Sequence, residues 1–214
     1  MGQSLYERLT APVTGVGPGH FPEGIEWEPA LDKWAKDLVQ VPLIKRTCVA
    51  ICVCDNDLIV AENNTAPAQA ELRDLFAFVG KTRGTPLQRI IRLDQTGFMG
   101  AAAMGVAAPV NPGIVPKADV HAEMRILDYL HQTVPAAATK KPVYIGISLP
   151  CCAKCYTTLT TYNASAAGVV EVGFAGHHDS YDAHWSLPSG PLKPVVTAGL
   201  AMPYRVLKHA VHRS

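Results

Sequence analysis

Residues 120–123, VHAE, and residues 148–155, SLPCCAKC, decide the fold that we predict for this chain of 214 residues. Apolar residues at helical spacing follow the first stretch, and a second segment that can form a helix begins at Cys152. Between the two, residues 141–149, KPVYIGISL, are typical of a strand. The order helix, strand, helix indicates an α/β layered fold, with parallel strand pairing in the second half of the chain.

One histidine and two cysteines in these stretches form a natural ligand set for zinc. Neutral imidazole and thiolates bind Zn²⁺, and three protein ligands leave a fourth position for water, as in catalytic zinc sites. Cys152 and Cys155 are three residues apart, so they face the same way on the first turn of a helix. A helix N-terminus also favours their thiolate forms. We therefore predict a Zn²⁺ site formed by His121, Cys152 and Cys155.

Glu123 is the candidate catalytic residue. It follows His121 by two residues, so both side chains cannot easily bind one ion from the same helix face. The carboxylate can instead lean over the open coordination position. There it would accept a proton from the water and hand it to a leaving group, as a general base and then a general acid.

The combined pattern H-x-E…P-C-x-x-C is the signature of zinc nucleobase deaminases. Over roughly residues 47–200 the sequence resembles the cytidine deaminase-like superfamily. The resemblance implies an α/β three-layer sandwich, with a central mixed sheet of about five strands flanked by helices. It also implies hydrolytic deamination at C4 of cytosine or C6 of adenine, with Zn²⁺ as the cofactor.

The doubled cysteine leaves two possible registers for the metal ligands. Pro150 directly precedes Cys151, whereas in the family pattern it precedes the first ligand, and Cys151 to Cys155 is one residue too long for CxxC. Ser148 stands four residues before Cys152, where relatives commonly carry Ser or Thr. We therefore favour Cys152 as the ligand and Cys151 as a buried neighbour; Cys151 as the ligand is the alternative.

A buried histidine beside a redox-active or structural CxxC is the competing interpretation. Thioredoxin-like chemistry does use CxxC, but it needs no His-Ala-Glu upstream. A closed structural zinc site would need a fourth protein ligand. The deaminase-type site accounts for more of the pattern.

We divide the chain into an N-terminal arm and peripheral helix (1–45) and a zinc deaminase domain (46–214). The predicted helices cover residues 27–39, 68–79, 120–130, 152–164 and 204–212. The predicted strands cover 47–53, 58–62, 141–149, 169–174 and 195–200, with 85–93 either helical or extended. Residues 97–116, rich in Gly and Pro, predict a packed loop.

Charge and cysteine content limit the possible partners and compartment. The net charge of +1 gives no strong indication of nucleic-acid binding. The chain has no apolar run of membrane-spanning length and no signal peptide, so we expect no membrane partner and a cytoplasmic site of action. Cys48, Cys52 and Cys54 share one strand face, and we expect them to be core residues rather than reactive ones. Disulfides are the weaker account of the six cysteines.

A second, looser resemblance concerns residues 173–188, GFAGHHDSYDAHWSLP, and the doubled cysteine. This layout is similar to that of bacterial polymorphic-toxin deaminases, in which case the chain would act in the cytoplasm of a target cell and meet a neutralising partner protein. A rim that stacks a flipped base is one interpretation, and a surface loop pinned by the tryptophan is the other. A second metal at His177, His178 and His184 is a minor alternative. The predicted substrate contacts are Asn63, Asn64, Ala122, Ser148, His177, His178, Tyr181 and Trp185.

The sequence thus predicts a zinc-dependent deaminase that converts cytosine to uracil in a polynucleotide, with single-stranded DNA as the favoured substrate. A deaminase of free nucleosides or nucleotides, or of RNA or adenine, is the alternative within enzymes. A non-catalytic, zinc-stabilised binding protein on the same fold is the alternative from another class.

Overall fold

The computed structural model describes residues 19–20, 30–39, 48–63, 69–94, 97–98, 120–179, 185–188 and 190–200. Its strands are β1 (Gly19–His20), β2 (Val49–Cys54), β3 (Asp57–Glu62), β4 (Arg89–Asp94), β5 (Gly97–Phe98), β6 (Lys141–Ile147) and β7 (Val170–Ala175). Its helices are α1 (Ala30–Val39), α2 (Gln69–Arg83), α3 (Ala122–Thr133), α4 (Ala153–Ala164) and α5 (Leu192–Leu200).

The strands form one mixed sheet in the order β1-β7-β6-β2-β3-β4-β5. Its two outer strands have only two residues each, so the body of the sheet is the five strands from β7 to β4. Strand β2 pairs antiparallel with β3 and β6, while β3/β4 and β6/β7 pair in parallel. The α/β fold class with a mixed sheet of about five strands is confirmed, as is the parallel pairing of β6 and β7.

Two hydrophobic cores lie on opposite faces of the sheet, and strand β2 contributes residues to both. Val49, Ile51 and Val53 pack with α1 and α2 on one face of the sheet. Ala50, Cys52 and Cys54 point to the other face and pack with α3, α4 and α5. Both faces of this strand are apolar because helices cover both. All six cysteines lie in the described residues, and none of them forms a disulfide there.

Helix α1, predicted as peripheral, packs directly on β2 and β6. The Asp32 carboxylate accepts hydrogen bonds from the Ile147 backbone N–H at 2.8 Å and from the Tyr144 hydroxyl at 2.5 Å. Gly146 permits the close approach, because a Cβ there would lie 2.3 Å from the Leu31 Cβ. The division of the chain at residue 45 stays a prediction.

Residues 195–200 were predicted as a strand, and this prediction is wrong: they belong to helix α5. Leu192 and Val196, one helical turn apart in α5, are both fully buried. A short apolar run fits either structure from sequence alone, and packing against α3 and α4 decides for the helix.

Residues 85–93 are extended in their second half, where β4 lies. Helix α4 contains several threonines, and the hydroxyls of Thr157, Thr158 and Thr160 donate to backbone carbonyls four residues earlier, so their hydrogen bonds are satisfied within the helix. The helix predicted at 204–212 and most of the loop at 97–116 lie outside the described residues.

Candidate metal centre and active site

The proposed metal ligands stand at the starts of two neighbouring helices. His121 is the N-cap of α3 and Cys152 the N-cap of α4, both in extended backbone conformation. The Cys152 sulfur accepts a hydrogen bond from the Cys155 backbone N–H at 3.4 Å. This bond places both sulfurs on the first turn of α4, as the CxxC spacing predicts.

The three side chains converge at one point. Nδ1 of His121 lies 3.7 Å from the Cys152 sulfur and 3.4 Å from the Cys155 sulfur, and all three ligand atoms lie within 4.8 Å of one another. In a tetrahedral zinc site with bond lengths of about 2.0–2.3 Å, a ligating nitrogen and sulfur are about 3.6 Å apart. The donor types and their separations therefore fit Zn²⁺.

The two thiols of the group differ in proton affinity when no ion is bound. The pKa of Cys152 is lowered to about 4, chiefly by the hydrogen bond from the Cys155 thiol and also by those from His121 and the Cys155 backbone N–H. Burial raises the pKa of Cys155 well above its ordinary value, and the neighbouring Cys152 raises it further. With no ion bound, these shifts favour a thiolate at Cys152 and a protonated thiol at Cys155, and metal binding would displace the remaining proton.

Glu123 is buried directly beside this group. Its side chain is 2% exposed, and its Oε1 lies 3.9 Å from Nδ1 of His121. Its Oε2 is buried and has no hydrogen-bond partner within the described residues. Burial raises the pKa of this carboxyl, while His121 and the Cys155 thiol lower it. A buried carboxylate oxygen without a hydrogen-bond partner, such as Oε2 of Glu123, is consistent with a site that can bind a further group.

Cys151 has a different environment from the two ligand candidates. Its backbone pairs with His177 in a parallel bridge, and its carbonyl accepts a hydrogen bond from the His178 N–H at 2.9 Å. Its side chain is fully buried in the core, and burial raises its thiol pKa. The group of potential ligands in the described residues contains Cys152 and Cys155 and leaves Cys151 out.

Ser148 and Ala122, both predicted substrate contacts, are part of the fold around the site. The Ser148 hydroxyl accepts a hydrogen bond from the Val49 N–H at 2.9 Å, and the Ser148 N–H donates to the Val49 carbonyl. These bonds hold the end of β6 against the start of β2. Ala122 is fully buried at the first turn of α3.

Asn63 lies at the end of the sheet nearest the site. Its N–H donates to the Cys48 carbonyl at 3.2 Å. The pKa of the Cys48 thiol is raised, chiefly by burial and also by the charge of Glu123. The Asn63 Oδ1 is buried without a hydrogen-bond partner in the described residues. Asn64 and Tyr181 lie outside the described residues, and so does His184, the third member of the alternative metal site.

His177 and His178 are exposed beside the metal-site motif. The His177 ring stacks on Tyr156, with centroids 3.9 Å apart and an interplanar angle of 19°. Tyr156 directly follows Cys155, so this pair borders the first turn of α4. Sequence reasoning missed Tyr156, although its position after a ligand candidate was a usable signal.

Trp185 makes a contact that sequence reasoning also missed. Its indole Nε1–H donates to the Cys155 sulfur at 3.0 Å, and Lys154 Nζ lies 5.6 Å from the ring centroid. The tryptophan was predicted as a residue that stacks on the substrate base. No local pattern indicates the bond to Cys155, because thirty residues separate the partners.

Fold and site together are consistent with a cytidine deaminase-like class: a five-strand mixed sheet is flanked by helices and carries a His/Cys/Cys group suited to a metal ion. A family model described as OTT_1508-like deaminase matches residues 120–189, about a third of the chain. The chain is similar to this deaminase family over that segment, which holds all three ligand candidates as well as Glu123 and Trp185. No curated protein and no solved structure matches the chain.

Among the helices that the structure describes, none is both long and apolar enough to cross a bilayer.

Proposed function

We propose that this protein is a zinc-dependent hydrolytic deaminase that converts cytosine to uracil in a polynucleotide, single-stranded DNA being the favoured substrate. The observation that carries the proposal is the buried Glu123 carboxyl beside His121, Cys152 and Cys155. A buried carboxyl without full hydrogen bonding costs stability, so its presence beside a metal-binding group is better explained by chemistry than by structure.

In the proposed reaction, cytosine and water give uracil and ammonia. Zn²⁺, when bound, supplies Lewis acidity that brings the pKa of a coordinated water near 7. As the water oxygen bonds to C4, Glu123 would accept one proton of that water at its carboxylate and deliver it to the ring nitrogen. It would then move the remaining proton of the added hydroxyl to the amino group, and the C4–N bond breaks to release ammonia. Burial raises the pKa of this carboxyl, a direction that suits a group that both accepts and donates protons.

The exposed His177 ring, stacked on the partly buried Tyr156, supports the proposal that the substrate is a base that has left its stack. One face of His177 rests on Tyr156, and the side chain is 40% exposed. A base can stack on such a ring, and base–aromatic stacking contributes about 1–3 kcal/mol in single-strand binding.

We also propose that the enzyme acts in the cytoplasm, either its own or that of a target cell, where a partner protein would neutralise it.

The net charge of +1 favours a second candidate, a deaminase of free nucleosides or nucleotides. Such an enzyme needs no extended basic surface, whereas polynucleotide binding relies on phosphate contacts. RNA and adenine remain alternative substrates for the same chemistry. A non-catalytic zinc protein on this fold explains the ligands but not Glu123.

The test is incubation of the zinc-loaded protein with cytosine- or adenine-containing single-stranded DNA, duplex DNA, RNA and free nucleosides. Sequencing and mass spectrometry would report deamination, with Glu123→Gln as the matched control. Turnover of single-stranded DNA that falls steeply with added salt supports the proposal. Turnover of free nucleosides alone, with little salt dependence, would establish the second candidate, and no turnover of any substrate would contradict both.

A further inference from the structure

We propose that Trp185 is a positioning residue of the metal centre: its indole N–H donates to the Cys155 sulfur and stabilises that sulfur as a thiolate ligand. The inference rests on the metal site of the proposed function. It assigns Trp185 to the ion rather than to the substrate.

The geometry of the contact is that of a hydrogen bond to sulfur. Nε1 and Sγ are 3.0 Å apart, and the indole nitrogen is a donor that cannot accept. The Cys155 side chain is fully buried, so few water molecules can supply an alternative donor. A buried thiolate without a donor is costly, and the indole N–H meets this need.

The second sulfur receives a donor of its own. The Cys152 sulfur accepts the Cys155 backbone N–H at 3.4 Å, a bond that α4 provides by its first turn. That donor depends only on the local helix geometry. The donor for Cys155 comes instead from a segment thirty residues later in the chain, so the two sulfurs are served from different parts of the fold.

The rest of the indole is held in place as well. The partly buried ring packs against the core that contains α3 and α4, and Lys154 Nζ lies 5.6 Å from its centroid. Anchoring of this kind fixes the direction of the N–H. Partners that hold ligands in this way typically change metal affinity 10–100-fold when they are removed.

The experiment replaces the indole with an isostere that lacks the N–H. We would incorporate 3-benzothienylalanine at position 185, in which sulfur takes the place of the N–H, and compare it with Trp185→Phe. Each protein is loaded with Co²⁺, and its sulfur-to-cobalt charge-transfer band is recorded. Zn²⁺ affinity is measured by competition with a chromogenic chelator, and thermal unfolding confirms the fold.

Loss of the donor raises the energy of the sulfur lone pairs, so we expect the charge-transfer band to move to lower energy in both variants. We also expect Zn²⁺ affinity to fall about 10-fold or more. Trp34→Phe is the control, because Trp34 packs against Phe78 in the core on the other face of the sheet. It should lower thermal stability and leave the band in place.

Two failures are distinguishable. If the isostere gives the wild-type band and the wild-type Zn²⁺ affinity, the role of Trp185 is overturned while the metal site stands. If the unaltered protein binds Co²⁺ without any sulfur charge-transfer band, the metal site itself is refuted. The isostere differs so little in shape that it keeps the test decisive even if Trp185→Phe fails to fold.

Discussion

Oε1 of Glu123 lies 3.9 Å from Nδ1 of His121, the ring nitrogen that faces the two sulfurs. Both residues stand at the start of α3, with one alanine between them. The backbone turn into the helix therefore sends the imidazole to the sulfurs and keeps the carboxyl beside it. This relationship makes the metal-binding and proton-transfer roles separable by mutation.

Glu123→Gln should abolish deamination while zinc stays bound. The substitution keeps the size of the side chain but removes its ability to carry a proton, and general acid–base groups contribute about 10²- to 10⁴-fold to rate. Ammonia release and zinc content, measured on the same preparation, check this expectation. Retained turnover would remove Glu123 from the mechanism, and loss of zinc would make it a determinant of metal binding.

Cys152→Ser and Cys151→Ser should separate the two possible ligand registers. Cys152 belongs to the group of converging ligand atoms, so its loss should leave the purified protein without stoichiometric zinc. Cys151 is a core residue, so its replacement by serine should lower thermal stability and keep the metal. Elemental analysis and thermal unfolding of both variants make the comparison. The opposite result in the metal analysis would move the ligand to Cys151.

Gly146→Ala should disrupt the packing of α1 on the sheet. A Cβ at this position would lie 2.3 Å from the Leu31 Cβ and 2.4 Å from the Leu31 carbonyl carbon. Overpacking of this kind costs about 1–3 kcal/mol or more of unfolding free energy. Gly80→Ala is the matched control, since its Cβ meets nothing closer than 3.7 Å and alanine favours the α2 helix. Equal stability of the two variants would contradict the close approach of α1.

Asp32 should make the stability of the fold depend on pH. Burial raises its pKa to about 6 from 3.8, although the bonds from Tyr144 and Ile147 oppose the shift. The folded state therefore binds the proton more tightly than the unfolded state, so this residue stabilises the fold less as pH rises from about 4 to 6. Asp32→Asn removes the titration.

The measurement for Asp32 is the difference in unfolding free energy between Asp32→Asn and the wild type at pH 4.5 and pH 7.5. Because the same metal site is present in both proteins, its own pH dependence largely cancels. The variant should gain relative to the wild type at pH 7.5. A difference that does not change with pH would show that the buried carboxyl is not the titrating group.

Much of the site could be predicted because its residue types and their spacing follow local sequence patterns. His121, Glu123, Cys152 and Cys155 stand at helix starts, where spacing along the chain fixes which side chains emerge together. Strand β2 was equally readable, because apolar residues at every position require a covered strand on both faces. The short apolar run at 195–200 was not, since it carries too few residues to distinguish a strand from a helix.

The sequence by itself determined the residue types of the metal group, the helix starts that present them and the layered α/β class. Only the tertiary structure decided that Trp185 donates to Cys155, that Asp32 joins α1 to β6, and that Cys151 lies in the core while Cys152 reaches the site. Periodicity and capping depend on residues a few positions apart, whereas these contacts join segments brought together only when the sheet and its helices pack.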